Sequence, residues 1–143
     1  MLVIEVAETD ADLRRCFAVM HELRPHLDCE TFLSQAKRQI ATDKYRMAFA
    51  SEGAEVLAVG GYRFIEMLAW GKAMYVDDLV TTSARRGSGC GSALFDWLVA
   101  QARAAGCAQF HLDSGVQRFG AHRFYLHKGM DIVGHHYSMD LTG

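Results

Sequence analysis

The spacing of apolar residues changes several times along the chain and predicts strands alternating with helices. Leu2–Ala7 is a short apolar run with β-branched residues and predicts a strand. Apolar residues at helical spacing then predict two helices. The first begins at Thr9, Pro25 ends the pattern, and Asp28 caps the second. The predicted inner faces of the two helices contain Leu13, Cys16, Phe17, Met20 and Leu23, and Phe32, Leu33, Ala36 and Ile40.

The middle of the chain alternates in the manner of strands. Tyr45–Ala50 predicts a strand, Glu52–Glu55 a hairpin turn, and Val56–Phe64 the returning strand. A further turn falls around Gly71, and Met74–Thr81 is the most regular strand pattern in the sequence. This region therefore predicts an antiparallel meander.

The last third of the chain returns to alternating helix and strand patterns. Ser92–Ala105 predicts an amphipathic helix, Gln109–Asp113 a strand and Arg118–His127 a short helix. Ile132–Leu141 predicts one bent strand or two short ones. The order β-α-α-β-β-β-α-β-α-β predicts an α/β (α+β) fold with a mixed central sheet flanked by helices.

Length and charge narrow the functional classes. The 143 residues are expected to form a single domain, 1–143. Fifteen Lys and Arg against 17 Asp and Glu give a net charge of -2, so we expect no nucleic-acid partner. No apolar run approaches the ~18 residues of a membrane span, so we expect no membrane partner. The four cysteines lack CxxC spacing, which favours a cytoplasmic protein with reduced thiols, and the seven histidines lack zinc-site spacing.

A glycine-rich segment joins the most regular strand to the amphipathic helix. In Arg85-Arg86-Gly87-Ser88-Gly89-Cys90-Gly91 the glycines permit a tight turn, and the following helix directs unsatisfied N–H groups at the turn. The two arginines add positive charge, so a pyrophosphate would fit here. A turn without a ligand explains the glycine spacing equally well.

Two further positions carry candidate chemistry. Tyr125 lies near the end of a predicted helix, where its hydroxyl either faces a cleft or belongs to a core aromatic. Asp77 and Asp78 lie in the regular strand, and strand alternation predicts that they face opposite ways. Asp78 is either a pocket carboxylate or a partner in a cap or turn.

The chain resembles the GCN5-related N-acetyltransferase (GNAT) superfamily in the order of its elements and motifs. These are the regular strand, the Arg86-x-x-Gly89-x-Gly91 loop, the helix, and Phe124-Tyr125 before Lys128-Gly129. The Ala-His-Arg-Phe-Tyr-Leu run is similar to the small-amine branch that includes aminoalkylphosphonate acetyltransferases. The resemblance implies acetyl-CoA as the acetyl donor. Met130 and Arg118 differ from the residues that are usual in the family at these positions. The differences concern the identity of the acceptor more than the fold.

The resemblance also implies site residues. The pantetheine arm would pair with Leu79, Val80 and Thr81, and a backbone N–H there would polarise the thioester. Tyr125 would be the general acid for the thiolate, and Asp78 would bind the ammonium or relay its proton. Residues that would hold the donor's pyrophosphate are Arg86, Gly87, Ser88, Gly89, Cys90, Gly91 and Ser92.

These features predict an acetyl-CoA-dependent N-acetyltransferase that acts on a small primary amine by direct attack, as a monomer or homodimer. Alternatives are a peptide or protein N-terminal acetyltransferase and a non-catalytic acyl-CoA-binding regulatory module. Glu66, Trp70 and the segment Leu23 to Asp28 are candidates to line the acceptor pocket, and His111 is an alternative base.

Overall fold

The structure, a computed structural model, describes all 143 residues. The chain divides into two compact units, Met1–His111 and Leu112–Gly143. Its regular elements are β1 (Val3–Val6), α1 (Asp10–Leu23), α2 (Cys29–Thr42), β2 (Tyr45–Glu52), β3 (Glu55–Met67), β4 (Gly71–Thr81), α3 (Cys90–Ala104), β5 (Gln109–Leu112) and α4 (Phe119–His127), with a 3₁₀ turn at Ser83–Arg85. The predicted order is confirmed through α4.

Local capping explains where the first two helices begin. The Thr9 side chain accepts a hydrogen bond from the Asp12 N–H at 3.1 Å, and the Asp28 side chain accepts one from the Thr31 N–H at 2.8 Å. Each cap satisfies an N–H that the helix itself leaves without a partner. Both predicted starts are therefore confirmed.

The 5-stranded sheet has the order β1-β2-β3-β4-β5. The first four strands pair antiparallel, whereas α3 connects β4 to β5 as the crossover that parallel neighbours require. The predicted mixed sheet is confirmed. Helices α1 and α2 cover one face of the sheet and α3 covers the other. The core beneath α1 and α2 includes Leu13, Cys16, Met20, Phe32, Leu33, Met47, Phe49 and Val59.

The strand predicted over Ile132–Leu141 is wrong, because residues 130–143 form no regular element. Its apolar side chains are exposed, with Ile132 at 77% and Tyr137 at 89%. Gly134 and the adjacent His135 and His136 interrupt the apolar pattern. Alternation produces a strand only where a neighbouring strand supplies hydrogen bonds and an apolar surface, and this segment has neither.

A β-bulge interrupts the pairing of β3 with β4 in the middle of the sheet. Gly61 pairs with Asp78 and Tyr62 pairs with Val76, so Asp77 is an extra residue on β4. Such a bulge bends the strand and redirects the side chains beside it.

Gly61 leaves room for a buried polar contact opposite this bulge. A Cβ atom at Gly61 would lie 1.8 Å from the Tyr45 hydroxyl oxygen and 2.6 Å from Asp78 Oδ2. Those two oxygens are hydrogen-bonded to each other at 2.8 Å. A side chain at position 61 would therefore displace the hydrogen bond.

We expect Gly61→Ala to lower the free energy of unfolding by about 2 kcal/mol, because Tyr45 must move and its buried hydroxyl loses its acceptor. Gly60→Ala is the matched control. Its Cβ would meet only the ends of side chains, the nearest being Leu98 Cδ1 at 3.2 Å, so a change within about 1 kcal/mol is expected. Chemical denaturation of both variants measures the difference, and equal stability would contradict the packing argument.

Candidate functional site

The loop from β4 to α3 leaves the N-terminus of a helix without a side-chain cap. Gly87 and Gly89 have φ values of +82° and +91°, a region that favours glycine, and Gly89 is the N-cap of α3 with no side-chain hydrogen bond. Gly91 lies against β4, because a Cβ there would meet Thr81 Oγ1 at 2.5 Å. Uncapped first-turn N–H groups together with glycine backbone fit an anion such as a pyrophosphate.

Glu22, in the last turn of α1, holds the start of this loop. Its carboxylate accepts hydrogen bonds from Thr82 Oγ1 and the Ser83 N–H, both at 3.1 Å. Arg86 lies 3.6 Å from the same carboxylate with most of its side chain exposed. Cys90 is buried and its sulfur accepts a hydrogen bond from Ser88 Oγ at 3.1 Å, so the thiol helps to fold the loop.

The last residues of β4 extend beyond the neighbouring strand. The Ala108 N–H donates to Lys72 O, near the start of β4, at 2.8 Å. From there β5 adds only 4 residues, whereas β4 continues to Thr81. Strand β5 therefore ends before it reaches Leu79–Thr81. The backbone edge of these residues is left without a neighbouring strand, which is what a ligand that pairs with it requires.

A cavity of about 420 Å³ lies between the α1–α2 pair and strands β2 and β4. Pockets that bind small organic molecules typically have volumes of this order. The polar side chains that line it are Arg24, His26, Gln35, Gln39, Asp77 and Asp78. The apolar and aromatic ones are Met20, Leu27, Phe32, Ala36, Met47, Tyr45 and Tyr75.

Both aspartates line this cavity, so the expectation that they face opposite ways is wrong. The bulge at Asp77 is the physical reason, because it breaks the alternation that the expectation assumed. Asp77 forms an ion pair with Arg63 through both carboxylate oxygens. Asp78 accepts from Arg24 Nε at 2.9 Å and from the Tyr45 hydroxyl at 2.8 Å. Asp78 is therefore neither a helix cap nor a turn partner.

Tyr45 is a site residue that the sequence reasoning missed. It is only 2% exposed, and burial, followed by the nearby charge of Asp78, raises its pKa well above the usual value. The hydroxyl therefore stays protonated and donates to Asp78. Sequence position gives no sign of this pairing, since the two residues are 33 apart.

Tyr125 lies on α4 in the Leu112–Gly143 unit. It is 9% exposed, and burial raises the pKa of its phenol above the ordinary value, although Arg118 opposes the shift. A tyrosine in this environment carries its proton at neutral pH, as a general acid must.

Other predicted pocket residues lie elsewhere. Of the segment Leu23 to Asp28, the residues Arg24, His26 and Leu27 line the cavity, whereas Glu66 and Trp70 do not. Trp70 instead stacks on His111 with ring centroids 3.5 Å apart. His111 also contacts Gln109 through Nε2 at 2.6 Å.

Comparison with known proteins decides what this arrangement belongs to. Residues 7–130 match the model of the acetyltransferase (GNAT) family. The chain belongs to the GNAT family. An N-acetyltransferase of Bacillus subtilis, YhdJ, is 35% identical over 112 residues, which are 78% of this chain and 79% of that protein. The family and this relative identify an enzyme, an N-acetyltransferase that uses acetyl-CoA as acetyl donor.

Two further GNAT proteins share parts of the sequence or the fold. The aminoalkylphosphonate N-acetyltransferase of Salmonella typhimurium is 39% identical over 54 residues, 38% of this chain and 35% of that protein. An aminoglycoside N-acetyltransferase solved in complex with CoA has a TM-score of 0.85 at 10% identity, covering 100% of this chain and 96% of the other. The second likeness shows the GNAT fold. None of the helices in this GNAT chain has the length and apolar character of a membrane span.

We expect Gly89→Glu to abolish the thermal stabilisation by acetyl-CoA, because it places a side chain and a negative charge at the α3 N-terminus. A donor at about 100 times its Kd stabilises the folded enzyme by about 2.7 kcal/mol, which a thermal melt detects. Gly106→Glu is the matched control, since Gly106 follows the other end of α3 and has a φ of +80°. A folded Gly89→Glu protein with the wild-type affinity would refute the donor site.

Proposed function

We propose that this GNAT enzyme transfers an acetyl group to the primary amine of a small molecule bound in the 420 Å³ cavity. The observation that carries the proposal is the position of Asp77 and Asp78. They line the cavity and directly precede Leu79–Thr81, the strand edge that β5 leaves uncovered. An amine held beside Asp78 is thus within a few residues of the proposed donor strand.

On this proposal the donor is held by backbone groups on both sides of the β4–α3 loop. The amides of pantetheine pair with Leu79, Val80 and Thr81, and a backbone N–H there polarises the thioester carbonyl. The pyrophosphate takes the first-turn N–H groups of α3, with Arg86 leaving Glu22 to meet it. The donor-binding loop residues on this proposal are Arg86, Gly87, Ser88, Gly89, Cys90, Gly91 and Ser92.

Three proton transfers accompany the reaction. The acceptor arrives as an ammonium and loses a proton, which Asp78 accepts or relays through water. The free amine attacks the thioester carbon. The nitrogen of the tetrahedral intermediate gives its second proton to water, and the carbon–sulfur bond breaks as the intermediate collapses to the amide. Tyr125 then gives its proton to the departing thiolate and regains one from solvent. The attack is direct, so no cysteine forms a covalent intermediate, and the buried thiol of Cys90 keeps a structural role.

The proposed setting is the cytoplasm. All four cysteines are free thiols, and Cys16 and Cys90 are buried, as in proteins of a reducing compartment.

We expect Tyr125→Phe to lower the single-turnover rate of thiol release by about 100- to 10,000-fold, because the phenol is the general acid. Acetyl-CoA affinity should be unchanged, and stability should fall by only about 1 kcal/mol. Tyr137→Phe is the control, since that side chain is 89% exposed. A rate for Tyr125→Phe within about threefold of wild type would remove Tyr125 from the mechanism.

We expect Asp78→Asn to raise the KM for the amine by about tenfold or more and to leave the Kd for acetyl-CoA near wild type. The change removes the charge that attracts the ammonium. The amide oxygen still accepts from the Tyr45 hydroxyl, whereas the amide NH₂ group cannot accept from Arg24. Asp131→Asn, at an exposed position, is the control. A large loss of acetyl-CoA affinity in Asp78→Asn with an unchanged amine KM would show that the residue serves the donor.

A further inference from the structure

Arg24 is the charged group of the cavity with hydrogen-bonding capacity to spare. It follows α1 as the C-cap residue, and its side chain lines the cavity with 40% of its surface exposed. Nε donates to Asp78 Oδ1, and Nη2 donates to the backbone oxygen of Asp77, each at 2.9 Å. These bonds use Nε and Nη2, so a guanidinium with five N–H groups keeps Nη1 as a further donor toward a ligand in the cavity that Arg24 lines.

The carboxylates of the cavity are, by contrast, already matched. Both oxygens of Asp77 accept from Arg63, and the two oxygens of Asp78 accept from Arg24 and Tyr45. Two guanidinium groups and two carboxylates give this cluster a formal charge of zero. The cavity therefore has no excess of negative charge with which to attract a polycation.

We propose that the acceptor carries an oxyanion, a carboxylate or a phosphonate, beside its primary amine, and that Arg24 binds this oxyanion. The proposal rests on the proposed function and narrows its substrate class to small zwitterionic amines. The planar guanidinium is held in place by two hydrogen bonds to β4 and presents Nη1 as a preorganised donor, which suits either oxyanion. A diamine of the same length would place a second cation beside Arg24 and be repelled.

The same geometry assigns separate ends of the acceptor to separate residues. The oxyanion meets Arg24 at the end of α1, and the amine meets Asp78 on β4, next to the proposed donor strand. Arg24 thus selects the acceptor and does not itself take part in bond making.

The test compares acceptors that share the primary amine and differ in the group at the other end, which is an acid, an uncharged group or a second amine. The rate of thiol release from acetyl-CoA is measured for β-alanine against β-alaninamide, and for 2-aminoethylphosphonate against n-propylamine, with 1,3-diaminopropane as the dication. We expect the wild type to prefer at least one acid over its uncharged partner by about tenfold or more in kcat/KM. The better acid identifies which oxyanion is bound.

Variants then assign the preference to Arg24. Arg24→Gln should bring the ratio of acid to uncharged amine to within about threefold, and Arg24→Lys should keep an intermediate ratio because the charge remains without the planar donors. Arg38→Gln is the matched control. It removes an exposed guanidinium on α2 that does not line the cavity, and it should keep the wild-type ratio. If Arg24→Gln does not fold, the ratio in Arg24→Lys decides.

The outcomes separate this inference from the proposed function. Equal use of acids, uncharged amines and the diamine by the wild type would overturn the role of Arg24 and leave the small-amine acetyltransferase standing. Absence of thiol release with every amine would overturn the proposed function. Calorimetric titration of the same compounds into the CoA-saturated protein then measures their binding, which tests the role of Arg24 independently of catalysis. Tighter binding of an acid that is lost in Arg24→Gln supports the inference, and equal binding refutes it.

Discussion

The carboxylate of Asp78, held between Arg24 and Tyr45, is the contact on which the rest of the site depends. It joins the end of α1, the first residue of β2 and the middle of β4 within two hydrogen bonds. Burying a carboxylate destabilises the folded protein unless hydrogen-bond donors replace its water. Here each carboxylate oxygen of Asp78 accepts from a donor. Loss of either donor would leave a partly buried charge with an unmatched oxygen. The requirement ties the end of α1 to β2 and β4 at this point.

The bulge in β4 explains how one strand presents two adjacent carboxylates to one cavity. A regular strand would direct Asp77 and Asp78 to opposite faces. With Asp77 as the extra residue, both reach the same side, and each has its own arginine, Arg63 on β3 and Arg24 after α1. The same strand then continues past the end of β5 as the Leu79–Thr81 edge. One irregularity therefore sets the acceptor cavity beside the proposed donor strand.

Sequence reasoning located the features that depend on near neighbours along the chain. The caps at Thr9 and Asp28 and the glycine-rich turn before α3 arise from residues within a few positions of one another. It missed Tyr45 and the shared direction of the two aspartates, because these depend on pairing between strands far apart in sequence. The strand prediction for Ile132–Leu141 was wrong for a related reason, because alternation does not indicate whether a partner strand is present. The roles of Tyr125 and of the loop residues remain predictions, since they concern bound substrates.

The close approach of Gly61 to Tyr45 also constrains which sequences can share this site. The space that a Cβ would need at position 61 is occupied by the tyrosine hydroxyl, so the two positions are not independent. Alanine at position 61 lowers stability less when residue 45 is shorter, so the effects of the two changes on stability are strongly non-additive. Among variants selected for folding, positions 45 and 61 should therefore covary, although they belong to different strands. Covariation of positions 45 and 61 would then indicate the Tyr45–Asp78 hydrogen bond from sequences alone.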